Sequence, residues 1–191
     1  MKKTGKLRIT FNAPIILGFV GICFGVTLLG MLTNGGSTLL FFMNYRSSIE
    51  NPLTYVRAFT HVFGHVDWSH FLGNTSYLLL LGPMLEEKYG SKALVVIMTI
   101  TAFVTGVVNS VLFPDVALCG ASGIVFSFII LASFTGFRER EIPLTFILVL
   151  ILYVGQQIYD GIILTDNISN IAHIVGGLVG AVVGYVLNKK V

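Results

Sequence analysis

The chain has 191 residues, 54% of them hydrophobic and only 11% charged, with a formal net charge of +3. Soluble domains carry about 25% charged residues, so this composition excludes an ordinary water-soluble domain and describes an integral membrane protein. So small a charge gives nucleic acid no footing as a partner, and two cysteines, Cys23 and Cys119, supply neither a disulfide framework nor metal-ligand spacing.

Six spans read out in chain order: Pro14 to Leu32, His70 to Leu85, Ser91 to Phe113, Ser122 to Gly136, Pro143 to Leu164 and Ile168 to Leu187. Several approach the roughly 20 residues that cross a bilayer. The thirteen residues ahead of the first span are too few to fold alone, so the expectation is a single all-α membrane domain over residues 1–191. That first span exceeds the 7–15 residues of a signal-peptide core, and "MLTNGGST" offers no A-x-A cleavage site. The connection over 33–69 contains "TLLFFMNYRSSIENPLTYVRAF", apolar and aromatic with a few charges, as befits a segment lying in the membrane interface. A loop of that length carries function or structure of its own.

Charge sets the orientation. With the N-terminus inside, Lys2, Lys3, Lys6, Arg8, Lys88, Lys92, Arg138, Arg140, Lys189 and Lys190 are cytoplasmic, ten of the twelve Lys and Arg residues. Only Arg46 and Arg57 fall outside, so both termini are expected in the cytoplasm. Ser122 then stands sixteen residues up the fourth helix from Arg138. At 1.5 Å per residue that is about 24 Å of a hydrocarbon core about 30 Å thick. The serine sits below the outer surface on a helix that stops short, and 114–121 enters the membrane as irregular backbone. Backbone of that kind is tolerated at depth only where protein or a water-filled cavity surrounds it.

Polar side chains in a membrane are costly, and each is a functional candidate. His173 lies near the outer end of the sixth span, within two turns of Asp166 and Asn167, at the depth of Ser122. His70 and Asn74 share a face at the outer end of the second span. A serine, two histidines and an asparagine from three helices thus meet one level, and acyl transfer is the chemistry that uses such a set. His173 takes the proton of the Ser122 hydroxyl. His70, Asn74 and the backbone around Gly120 and Ala121, at the start of the fourth helix, donate to an oxyanion. The competing readings are plain. "GASG" on its own is more often a packing device, and Gly176, Gly180 and Gly184 form a small-xxx-small ridge that serves packing. His61 and His65 form an i, i+4 pair, but no HExxH glutamate accompanies them. Cys119 reads as a small apolar residue.

With these residues in place, the chain resembles the rhomboid family of intramembrane serine proteases over nearly its whole length. "GASG" (Gly120 to Gly123) matches the family's G-x-S-G, "AHIVGGLVG" (Ala172 to Gly180) its sixth-helix histidine motif, and "HVFGHVDWSHFLGN" (His61 to Asn74) its second-helix entrance. "GPMLEEKYGS" matches G-x-x-x-E-x-x-x-G, which implies that Glu86 is structural and holds the cytoplasmic loop. The resemblance implies a six-helix bundle, a Ser122–His173 dyad without an aspartate, no cofactor and no metal. It also implies cleavage of single-pass transmembrane proteins near their outer boundary. Two positions depart from the family: Val56-Arg57 stands where Trp-Arg is common, and Phe126 where many bacterial members have a tyrosine stacked on the base.

The alternative is a rhomboid-like protein that binds membrane helices without cutting them, although Ser122, His173, His70 and Asn74 are all present. A channel would need ionisable residues in the inner half of the bundle, which offers few. The minimal core looks bacterial, which places the protein, among its lipids and its transmembrane substrates, in a cytoplasmic membrane with the site facing outward.

Overall fold

The computed structural model describes residues 9–113, 115–136, 142–163 and 170–188. Its described residues form eight α-helices: α1 (Pro14–Leu32), α2 (Gly36–Phe41), α3 (Pro52–Thr60), α4 (Trp68–Tyr89), α5 (Ser91–Leu112), α6 (Ser122–Ser133), α7 (Leu144–Ile163) and α8 (Asn170–Asn188). Short 3-10 turns follow α3 and α6. The interface segment over 33–69 therefore contains α2 and α3. Lys2, Lys3, Lys6, Arg8, Pro114, Arg138, Arg140, Leu164, Asp166, Asn167, Ile168, Lys189 and Lys190, which entered the charge and depth readings, lie outside the described residues. By length and composition α1 and α5 are apolar enough to cross a membrane.

Local chemistry explains where the helices begin and end. Asn51 accepts a hydrogen bond from Leu53 N and Pro52 occupies the first turn, which starts α3. The Asp67 carboxylate accepts from His70 N at 2.7 Å and opens α4 two residues earlier than the apolar pattern marks. The far end of α4 runs four residues past Leu85, because Glu86 is buried and bonded rather than a stop. α6 is shorter than its apolar run. Ser133 Oγ donates back to Ile129 O, Thr135 Oγ1 donates to Ala132 O, and the chain tightens into a 3-10 turn over 134–136.

α6 is the axis of the bundle. Eight of its twelve residues are buried, among them Ile124, Phe128 and Leu131, as expected of a helix apolar on every side. α8 runs parallel to it at very close range. A methyl group on Gly176 would collide with the Gly123 carbonyl, one on Gly180 with the Ser127 carbonyl, and one on Gly184 would come within 2.7 Å of the Phe134 ring. The small-residue ridge is thus the surface on which α8 rests against α6. At the end of the bundle remote from Ser122, the Glu86 carboxylate accepts from Ile15 N (3.1 Å), Ile16 N (3.2 Å) and Ser91 Oγ (2.6 Å). One anion from α4 thereby caps the first turn of α1, where the helix dipole favours it, and pins the start of α5.

These contacts give a stability prediction. Gly180→Leu should lower the thermal midpoint of the purified protein in detergent, because overpacking of this kind costs about 1–3 kcal/mol. Gly21→Ala, at an open position on α1, should leave it unchanged or slightly raised, as alanine is the better helix former. Equal midpoints for the two variants would contradict the interlock.

Candidate active site

The segment entering α6 is irregular backbone tied to its neighbours by hydrogen bonds. Asn44 and Leu118 exchange backbone hydrogen bonds (2.8 and 2.7 Å), and Gly120 N donates to His61 O at 2.9 Å. Ser110 Oγ donates to Asn44 Oδ1 and Asn109 Nδ2 to Val116 O. Gly120 takes φ +123, a conformation that favours glycine. A side chain there would also strike the His70 ring, at 2.6 Å from Nε2, and approach Asn74 Nδ2 at 3.4 Å. The sharp turn at Gly120 therefore brings His70 and Asn74 against the start of α6. Ala121 is the fully buried residue before the first helical turn, and no side chain caps that end.

Ser122 Oγ lies 2.8 Å from His173 Nε2, a hydrogen bond between side chains 51 positions apart. The Phe126 ring stacks on the imidazole at 4.5 Å between centroids and 5° between planes. Phe126 is one turn below Ser122 on the same helix, so a single helix face carries both the hydroxyl and the flat apolar surface that orients the ring. Both side chains open on a cavity of about 730 Å³ that is also lined by Asp67, His70, Asn74, Tyr77 and Cys119. Asn74 is 8% exposed, and its Nδ2 is buried without a hydrogen-bond partner among the described residues.

The remaining sequence candidates lie elsewhere. Gly176 and Gly180 sit further along α8 against α6, and Glu86 is at the opposite end of the bundle. Arg57 is 2% exposed within the segment over 33–69, where it donates to Ser47 Oγ at 2.7 Å and Leu40 O at 3.4 Å and lies over the Tyr45 ring. It anchors that segment and leaves Val56 exposed beside it. His61 is bonded through Nδ1 to Arg57 O and through Nε2 to Thr105 Oγ1. His65 is bonded through Nδ1 to Phe63 O and packs edge-on against the rings of His70 and Phe71. Burial lowers the pKa of both imidazoles to about 4, so each is a neutral packing element at neutral pH. Among the described residues no group of three or more His, Cys, Asp or Glu could hold a metal ion.

Sequence reasoning missed Asp67 and Asn44. Asp67 carries a readable signal, an N-cap aspartate three residues before His70. The Asn44–Leu118 pairing has none, since it joins residues 74 positions apart through their backbones.

The chain is similar to known proteins. The protein named Rhomboid protease GlpG from Serratia proteamaculans (strain 568) is 28% identical over 176 residues, covering 90% of this chain and 62% of that protein. The protein of the same name from Yersinia pestis (strain Pestoides F) is 26% identical over the same shares. The chain therefore spans a little under two thirds of the length of these relatives. The Rhomboid domain family matches residues 52–190, which include α3 and every helix that lines the cavity, and the chain belongs to the rhomboid family.

Proposed function

We propose that this chain is an intramembrane serine endopeptidase that cuts single-pass transmembrane proteins near the outer boundary of a bacterial cytoplasmic membrane, with a Ser122–His173 dyad. The observation that carries the reading is the 2.8 Å contact between Ser122 Oγ and His173 Nε2 at the wall of a cavity of about 730 Å³. A serine hydroxyl is a weak nucleophile until a positioned base can take its proton. His173 meets that need with Nε2 as acceptor and the ring proton on Nδ1.

In the proposed reaction Ser122 Oγ bonds to the scissile carbonyl carbon as its proton passes to His173 Nε2. The carbonyl oxygen becomes an oxyanion. The uncapped start of α6 presents backbone N–H groups and the positive end of its dipole. Asn74 Nδ2, buried without a hydrogen-bond partner among the described residues, and the His70 ring beside Gly120 complete the donors. Collapse breaks the C–N bond, and the leaving amine takes the proton from His173. Water then attacks the Ser122 ester, giving its proton to His173, and the acid product leaves with Ser122 Oγ reprotonated. The open cavity admits that water, and the stacked Phe126 keeps the imidazole plane fixed through both half-reactions.

The whole of residues 1–191 acts as one domain in this reading, with both termini cytoplasmic, as the distribution of Lys and Arg supports. A fluorophosphonate probe tests it. Detergent-solubilised protein should be labelled at Ser122, Ser122→Ala should abolish labelling, and His173→Ala should slow it by at least about 10²-fold. Labelling that survives Ser122→Ala would place the nucleophile elsewhere. With a cleavable transmembrane substrate, Asn74→Ala should lower kcat by about 10- to 10²-fold, far less than Ser122→Ala, because other donors remain. Phe126→Tyr should keep turnover near that of the parent while Phe126→Ala lowers it, since the aromatic face rather than a hydroxyl holds the base.

A further inference from the structure

The cavity at Ser122 has an unequal charge lining that the proposed reaction does not use. Among the described residues Asp67 is the one carboxylate that lines it, and no described lysine or arginine does. The other described lining residues include apolar side chains such as Val125 and Met43, the His70 and His173 rings, and the polar groups of Ser69, Asn74, Tyr77 and Ser122. Arg46 and Asp115 are exposed in neighbouring segments but are not part of the wall. Asp67 is itself exposed, and one of its oxygens accepts from His70 N at 2.7 Å. The other oxygen is available to a ligand, since a carboxylate accepts several hydrogen bonds. Its attachment to the first turn of α4 fixes the charge three residues before His70, whose ring lies against the Gly120 turn that leads to Ser122.

Resting on the protease reading above, we propose that Asp67 is a specificity-determining residue that makes the cavity prefer substrates with a lysine or arginine close to the scissile bond. An extended strand advances about 3.3 Å per residue, and the stems of lysine and arginine carry their charge further. A basic residue near the bond at Ser122 can thus bring its cation to the cavity rim. The preference is selective because transmembrane proteins carry most of their basic residues at the cytoplasmic flank. A site that asks for one at the outer flank passes over most membrane proteins and singles out a minority. The pairing is partly open to water, so it supplies discrimination of a few-fold and weakens with salt.

The test uses the full chain in liposomes with a single-span substrate carrying Lys, Gln or Glu, placed in turn at each residue flanking the cleavage site. At one or more positions Lys should raise kcat/KM about three- to fivefold over Gln at low salt, Glu should lower it, and added salt should shrink both differences. Two variants separate charge from helix capping. Asp67→Asn keeps a good N-cap and loses the charge; Asp67→Glu keeps the charge and weakens the cap. The proposal expects Asp67→Asn to erase the Lys preference and Asp67→Glu to retain it. A capping role alone gives the reverse, and the preference surviving in Asp67→Asn would overturn the proposal. Equal cleavage of the Lys, Gln and Glu substrates at every position overturns it while the protease reading stands. Cleavage of none of them overturns both.

Discussion

The hydrogen bond between Ser122 and His173 exists because two helices touch through their backbones. Interhelical spacing is ordinarily 8–10 Å, set by the side chains between the axes. Here Gly176 and Gly180 remove those side chains opposite Gly123 and Ser127, so α8 lies directly on α6. Gly123 follows Ser122 and Gly176 lies three residues after His173, which makes the first contact of the ridge also the hinge of the pair. In lipid no hydrophobic force drives helices together, and van der Waals contact between close backbones has to replace it. The packing motif and the chemical motif are therefore one device seen at two depths.

The two ends of the bundle solve different problems with the same physics. Remote from Ser122, the Glu86 carboxylate satisfies Ile15 N, Ile16 N and Ser91 Oγ at once, and so fixes α1, α4 and α5 to one another. Near Ser122, the segment over 33–69 has no long helix to stabilise it. It is held by Arg57, whose guanidinium reaches Ser47 and Leu40 and covers the Tyr45 ring, and by Thr60 Oγ1 donating to Phe41 O. The same segment passes Asn44 to Leu118 and His61 to Gly120, so its anchoring reaches the turn that presents Ser122. Where a tryptophan is common in the family this chain has an exposed valine, and the neighbouring arginine is buried and bonded.

Much of this was legible in the sequence, for identifiable reasons. Long apolar runs bounded by Pro14, Gly90 and Ser122 give helix positions to within a few residues, because length and hydrophobicity are local properties. The meeting of Ser122, His173, His70 and Asn74 follows from counting charges and then residues along helices. The boundary errors fall where a polar side chain, bonded locally or across helices as Glu86 is, decides where a helix starts or stops. Asp67 starts α4 early, and Ser133 and Thr135 end α6 early, although each lies in or beside an apolar pattern that ignores them. What stayed hidden is long-range backbone pairing such as Asn44 with Leu118, which leaves no mark on residue type.

The unsatisfied groups give the last step. A buried donor without a partner costs roughly 1–3 kcal/mol, and native proteins hold few of them. Several buried side-chain atoms here lack one among the described residues, including Thr27 Oγ1, Arg57 Nε, His65 Nε2, Asn74 Nδ2 and Ser127 Oγ. Asn74 alone among these residues lines the cavity at Ser122. Its amide is held beside Gly120, at the open start of α6, where further donors have no side-chain cap. An acceptor entering the cavity would relieve that cost, and an anionic acceptor would relieve more of it than a neutral one. In the proposed hydrolysis, a donor without a partner among the described residues would favour the charged state over the neutral one, which is the differential binding that the reaction requires.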